Sequence, residues 1–226
     1  MIDALARDGV TVSASAVAAN DRSKLPAVGS YAASSRVASF TSPPYSEFAK
    51  RILQVSLNTG ANLSLMYQGL NQGARTVTGA LAAERATLVG TFGLDPAGFD
   101  FPTNGSGSPD SRATARTTAT FLAKMSGHSV YPVYRASLPV MGVDGSLAGI
   151  GKNVDGNAHI CAKTGATVTG GQMVAMTMAG YLDAKSGRRL TFALFVSHAG
   201  PLTALTDTLE VYDDEAQILG IIYDSF

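Results

Sequence analysis

The chain has 226 residues, of which 46% are hydrophobic and 15% are charged, as expected for a globular protein with a substantial core. Its 17 basic and 17 acidic residues balance, so no general positive field is available for nucleic acid or an anionic membrane. Cys161 is the only cysteine, which excludes an intrachain disulfide, and no apolar run reaches the ~18 residues that span a bilayer. We therefore expect no nucleic-acid partner.

The first 41 residues show weak patterns. Residues 1–8 have the pattern of a helix that ends at Gly9, and they lack the basic and apolar regions of a signal peptide. A domain that opens inside a helix suggests a chain cut from a longer protein. Alternating residues over 10–17 predict a strand, and residues 36–41 predict a second one.

Helices dominate the next part of the chain. Ser42-Pro43-Pro44 predicts a helix start, and Phe48, Ile52 and Val55 predict one buried stripe along that helix. Ser56-Leu57-Asn58 falls at the helix end, where a turn can direct both polar side chains into a cleft. Further helices are predicted from residue 59 or 61 to about 70, over about 77–92 and over 114–125, with loops at 93–110 and 137–147.

The C-terminal part predicts an antiparallel sheet. Three β-rich segments, residues 159–168, 173–183 and 189–197, are joined by glycine-containing turns and predict a three-stranded meander. A last helix, over residues 203 to about 223, should pack on one face of this sheet.

The tripeptide Lys163-Thr164-Gly165 lies on the first of these strands. A lysine in an apolar strand is costly to bury, and the simplest explanation is a strand-end lysine that extends its amine to solvent. The functional alternative is a carboxylate site, because a cation beside a hydroxyl suits that group and backbone N–H groups of the edge can pair with a peptide.

Ser56 and Asn58 have a similar pair of interpretations. Both residue types satisfy free carbonyls at helix ends, which is a purely structural role. In the functional interpretation, Ser56 relays a proton and Asn58 binds a substrate amide. His159 and Cys161 share a strand face but have no second pair of metal ligands in the sequence, so we predict no metal site and no cofactor.

Five segments in fixed order resemble one family. They are the helix start and S-x-N motif of residues 42–58, the Asn104-Gly105-Ser106-Gly107 loop, the long 137–147 segment, Ala162-Lys163-Thr164-Gly165, and the hairpin of residues 179–190. The chain thereby resembles the C-terminal part of serine D-alanyl-D-alanine carboxypeptidases/endopeptidases, the class C low-molecular-mass penicillin-binding proteins.

The resemblance implies an α+β, penicillin-binding/β-lactamase-like transpeptidase domain, with an antiparallel sheet flanked by helices and incomplete at its N-terminal side. It implies that Ser56 and Lys163 are catalytic, and that the substrate-binding residues are Asn58, Thr164, Gly165, Ala166 and Thr167. The Ala166 N–H would be one of two oxyanion donors, worth about 3 kcal/mol of transition-state stabilisation. Peptidoglycan stem peptides would be the partners, and β-lactams would bind if the nucleophile were supplied.

Two departures from the family pattern matter. Ala166 replaces the threonine that often follows K-T-G, so one carboxylate-binding hydroxyl is lost. The S-x-x-K motif that would supply the nucleophile and its base is absent, because no Ser, Thr or Cys stands three residues before any lysine. We therefore expect this chain alone to be inactive, and a non-catalytic peptide-binding or partner-binding module stays as the alternative.

The resemblance also sets expectations for organisation and location. We assign residues 1–41 to an inserted or preceding region and residues 42–226 to the C-terminal part of the transpeptidase-like domain. The location implied is periplasmic or extracytoplasmic. The strand over residues 189–197 would lack its usual neighbour, so we expect either a homodimer through that edge or residues 10–17 folded against it. A β-lactamase or esterase is disfavoured by the long match at residues 137–147.

Overall fold

The computed structural model describes residues 1–13, 15, 17, 19, 23, 26–27, 29–103 and 109–226. Contacts divide the chain into two compact units, Met1–Ser42 and Pro43–Phe226. The predicted loop at residues 104–107 lies outside the described residues. Within the described residues, no helix is both long and apolar enough to cross a bilayer.

The described residues of the first unit include a short N-terminal helix and a 3-10 turn at Ala33–Ser35. Helix α1 (Ile2–Arg7) ends at Gly9, whose φ of 78° is left-handed, so the predicted helix and its end are confirmed. The two strands predicted here are wrong, because the described residues of 10–17 and 36–41 form no strand. Val37 and Phe40 are almost fully exposed, and without a partner strand or a packed face the alternating pattern has nothing to stabilise it.

Five of the six helices that the structure describes in the second unit were predicted, and the helix over Tyr131–Ser137 was not. The six are α2 (Tyr45–Val55), α3 (Asn58–Asn71), α4 (Val77–Gly90), α5 (Ala115–Met125), α6 (Tyr131–Ser137) and α7 (Leu205–Ser225). Thr76 and Thr114 cap α4 and α5 by accepting a hydrogen bond from a backbone N–H three residues later. Short strands β1 (Phe99–Asp100) and β2 (Arg112–Ala113) pair antiparallel where only a loop was predicted.

The buried stripe predicted for α2 is wrong. Phe48 and Val55 are about half exposed, and Leu53 instead packs against a buried cluster on the sheet. The spacing of three and four residues correctly indicates a helix. It cannot fix how the helix is rotated on its neighbours, because the single apolar face of α2 is wider than the predicted stripe and also includes Leu53.

The predicted meander is confirmed. Strands β3 (Ile160–Thr169), β4 (Gln172–Asp183) and β5 (Arg189–Pro201) are antiparallel in the order β3-β4-β5. Among the described residues β5 pairs with β4 alone. A homodimer through the other side of β5 stays a prediction, as does the division at residue 42.

Helices cover both faces of the sheet, as expected for this α+β class. On one face α7 packs against β4 and β5, and the buried cluster there includes Met176, Met178 and Tyr212. The other face holds a second cluster with Cys161 and Tyr181, against which Leu122 of α5 and Leu53 of α2 pack. Side chains that alternate along β3 therefore enter two different environments.

Glu215 lies on α7 with its side chain buried, and its residue is 1% exposed. Neither carboxyl oxygen has a hydrogen-bond partner among the described residues. Burial raises the pKa of this carboxyl to about 7. Ionising it in the folded protein therefore costs about 3 kcal/mol more than in the unfolded chain.

This raised pKa predicts a pH-dependent loss of stability. Below pH 4.5 the carboxyl is protonated in both states, whereas between 4.5 and about 7 only the unfolded chain ionises, so the free energy of unfolding falls as pH rises. Glu215→Met should remove this component and raise stability at pH 8 by about 1–3 kcal/mol. Urea unfolding from pH 4 to pH 8 measures the difference.

Glu210→Met is the matched control for that measurement, because Glu210 lies on the same helix and is exposed. It should leave the pH dependence unchanged. Equal pH dependence of stability in the Glu215→Met variant and the unmodified chain would contradict the raised pKa of Glu215.

Candidate functional site

The S-x-N tripeptide spans the junction of two helices. Ser56 ends α2 in the left-handed conformation with φ of 55°, and the Leu57 N–H closes the turn by donating to the Ile52 carbonyl at 3.0 Å. Helix α3 begins at Asn58, and Ser56 and Asn58 are both exposed. A left-handed serine costs about 1 kcal/mol, so the surrounding structure holds Ser56 in a strained position.

A turn at Gly145–Leu147 joins this helix end to the sheet. The Asp144 carboxylate accepts from the Val140 N–H at 2.7 Å and from the Gln54 side-chain amide at 3.2 Å. A side chain at Gly145 would come within 2.8 Å of the Gln54 carbonyl, so the close approach of α2 requires glycine there. On its other side, the Ser146 hydroxyl lies 3.4 Å from that of Thr164 on β3. The turn thus contacts α2 two residues before Ser56 and β3 at the K-T-G motif.

Strand β3 sends Lys163 and Thr164 to opposite faces of the sheet. Lys163 pairs with Ala179 and follows Cys161 on the face against which Leu53 of α2 packs. Ser56 follows Leu53 by three residues, at the end of the helix that packs on this face. Thr164 pairs with Met178 on the face covered by α7.

Lys163 is half-buried, and no carboxylate among the described residues forms an ion pair with it. Its amine donates to the Thr164 carbonyl, with 2.6 Å between Nζ and O. Burial lowers the pKa of Lys163 to about 8. At neutral pH the amine is therefore mostly charged while lacking an anionic partner in the described structure.

The Gly165 carbonyl is held from two sides. It accepts from the Tyr212 hydroxyl at 2.9 Å and from the Thr177 hydroxyl at 3.3 Å. Ala166 next to it is exposed, and Thr167 is half-buried beside a register shift between β3 and β4. Tyr212, Thr177 and Ser146 were not among the predicted site residues.

Other candidate groups lie apart from this site or have structural contacts. Cys161 is buried, and burial raises the pKa of its thiol. The His159 ring stacks on Tyr223 with centroids 5.4 Å apart. Across the part of the chain that the structure describes, no group of three His, Cys, Asp or Glu side chains could hold a metal ion.

The three-stranded antiparallel sheet with helices on both faces defines the penicillin-binding/β-lactamase-like transpeptidase fold. The chain belongs to the D-Ala-D-Ala carboxypeptidase 3 (S13) family, which it matches over residues 1–215. A comparison with curated proteins finds no match.

Solved structures agree on the fold. The chain is similar to penicillin binding protein 4 (dacB) from Haemophilus influenzae, with a TM-score of 0.62 and 19% identity over 79% of this chain and 39% of that one. It is similar to TLA-3 extended-spectrum β-lactamase, with a TM-score of 0.57 and 14% identity over 80% of this chain and 65% of that one. It also resembles the predatory endopeptidase Bd3459 from Bdellovibrio bacteriovorus, with a TM-score of 0.52 and 20% identity over 79% of this chain and 44% of that one. The chain thus spans about two fifths of the Haemophilus protein's length.

The lowered pKa of Lys163 is directly measurable. In a titration of the lysine amines followed by NMR, one amine should titrate at about pH 8 because burial disfavours its charged form. That signal should be missing in the Lys163→Arg variant and retained in Lys185→Arg, which alters an exposed lysine paired with Asp224. A Lys163 amine that is still fully charged at pH 9.5 would contradict the burial described here.

Proposed function

We propose that this chain forms the substrate-binding part of a serine D-Ala-D-Ala carboxypeptidase/endopeptidase that acts on peptidoglycan stem peptides by acyl transfer. The observation that supports it is the turn at Gly145–Leu147 and the adjoining Asp144, which contact both α2 beside the S-x-N motif and β3 at K-T-G. Membership of the S13 family agrees with this function. The Haemophilus influenzae protein of the same fold binds a β-lactam.

Each site residue has a role in this proposal. Lys163 supplies positive charge, Ser56 relays a proton toward the leaving nitrogen, and Asn58 hydrogen-bonds the peptide. Thr164 binds the terminal carboxylate, and the neighbouring Ser146 hydroxyl provides a second donor where Ala166 lacks one. The Gly165–Thr167 edge of β3 pairs with the extended peptide backbone.

Binding of N-acetyl-D-Ala-D-Ala tests this proposal. Calorimetry should show binding at pH 7 that weakens as the pH rises above about 8, because the unliganded Lys163 amine then loses its charge. Lys163→Met should weaken binding at pH 7 by about tenfold or more, as expected for loss of a charged hydrogen bond of ~1.5–3 kcal/mol. Binding by this variant should then no longer depend on pH near 8.

Lys185→Met is the control for binding, because Lys185 is exposed and pairs with Asp224 at 2.8 Å. It should bind the peptide like the unmodified chain. Equal affinity of the Lys163→Met and Lys185→Met variants would reject the assignment of Lys163.

A serine ester requires a nucleophile and a base, and these 226 residues contain no S-x-x-K motif. We therefore expect this chain alone to form no penicilloyl adduct. Intact-mass spectrometry after incubation with benzylpenicillin should show an unchanged mass. A stoichiometric mass increase, lost on denaturation before incubation, would show that the chain supplies its own nucleophile.

The absence of S-x-x-K also favours a second candidate function, a non-catalytic module that binds peptidoglycan peptides or a partner. Only the first candidate predicts turnover when a polypeptide bearing the S-x-x-K segment is added. A function on cell-wall peptide would be exerted outside the cytoplasmic membrane. A homodimer through the free side of β5 remains compatible with both.

A further inference from the structure

Two hydroxyl groups hold the Gly165 carbonyl from the two faces of the sheet. Tyr212 reaches it from α7, with 2.9 Å between the hydroxyl and carbonyl oxygens. Thr177 pairs with Gly165 in the β3–β4 register and therefore approaches from the opposite face, at 3.3 Å. The pairing of β3 with β4 directs this carbonyl toward β4, and the two hydroxyls add donors on either side of it.

The direction of this carbonyl sets that of the next N–H group. The Gly165 carbonyl and the Ala166 N–H belong to one planar trans peptide, in which the two groups point in opposite directions. With the carbonyl fixed toward β4, the Ala166 N–H points away from it. It therefore lies at the outer margin of β3, which has no strand neighbour in the described sheet, and Ala166 is exposed there.

We propose that Tyr212, assisted by Thr177, is a positioning residue that aims the Ala166 N–H at the substrate's acyl carbonyl. This proposal rests on the proposed function. The Tyr212 hydroxyl touches no reacting atom; it contacts the Gly165 carbonyl and the Thr164 side chain, and the proposed role uses the first of these contacts. Donors that stabilise an oxyanion are effective because they are oriented before the reaction, so fixing this peptide matters more than adding a further contact.

The surroundings of Tyr212 suit this role. The residue is 9% exposed and lies in the buried cluster with Ala216 and Leu219, so its ring cannot move away from the carbonyl without opening the core. Burial, and then the nearby Glu215, raise the pKa of Tyr212 to about 12. Its hydroxyl is therefore a proton donor throughout the physiological range.

The absence of a side chain at Gly165 is part of the same arrangement. A Cβ added there would come within 2.7 Å of the Thr177 hydroxyl. The Thr177 hydroxyl would have to move, and the Gly165 carbonyl would lose one of its two hydroxyl donors. Glycine in the K-T-G motif therefore has a second effect besides giving a ligand access to the strand, because it leaves room for the Thr177 hydroxyl beside the carbonyl.

The first measurement uses the chain without a ligand. The residual dipolar coupling of the Ala166 N–H reports the direction of that bond. It should change in Tyr212→Phe and change further in Tyr212→Phe/Thr177→Val, while couplings of the other β3 residues stay the same. Tyr223→Phe is the matched control, because it removes a hydroxyl from the same helix and its ring stacks on His159. An unchanged Ala166 coupling in the double variant would overturn the proposal.

The second measurement separates positioning from a general loss of structure. Tyr212→Phe should weaken binding of N-acetyl-D-Ala-D-Ala by about fivefold, which corresponds to one hydrogen bond of ~1 kcal/mol. It should not weaken binding of an alkene isostere that lacks the penultimate carbonyl. Equal weakening of both ligands, or of neither, would contradict the role of Tyr212. If the unmodified chain binds neither ligand, the proposed function fails, and the dipolar couplings still decide whether Tyr212 orients the peptide.

Discussion

Alternation along β3 is the constraint on which the candidate site depends. Adjacent side chains of a strand point to opposite faces, so Lys163 is directed to the face that α2 covers and Thr164 to the face that α7 covers. Gly165 follows with no side chain, and its backbone carbonyl receives hydroxyl donors from both faces. One short strand segment therefore contributes to the packing on both faces of the sheet.

The turn at Gly145–Leu147 fixes how α2 lies against this strand. Its preceding residue, Asp144, accepts hydrogen bonds from the loop backbone and from Gln54, so the turn and the helix end are tied to one carboxylate. Gly145 permits the close approach that any side chain would prevent. Since the left-handed Ser56 lies just beyond this contact, its strained conformation is held by packing on both sides of the helix junction.

The sequence was sufficient for α1, for every described helix of the second unit except α6, for the three strands of the meander and for the D-Ala-D-Ala carboxypeptidase family, because each rests on a strong local pattern or an ordered set of motifs. It failed for residues 10–17 and 36–41, where alternation was present without a partner strand.

The sequence also could not place Thr177 opposite Gly165. A turn at Gly170-Gly171 without irregularity would pair Gly165 with Met176, and the register shift beyond Thr167 moves this pairing by one residue. Tyr212 falls within the predicted last helix, but no local motif indicates which carbonyl its hydroxyl will reach.

The electrostatic state of Lys163 follows from the same packing. Its amine is taken partly out of water, and the Thr164 carbonyl offers a dipole where a carboxylate would offer a full charge. The pKa near 8 reflects this incomplete compensation. A ligand carboxylate placed beside the amine would favour the charged form and raise the pKa again, so anion binding and lysine protonation are linked. In the proposed function, the cost of burying this cation in the free protein would favour an anionic ligand more strongly than an exposed lysine would.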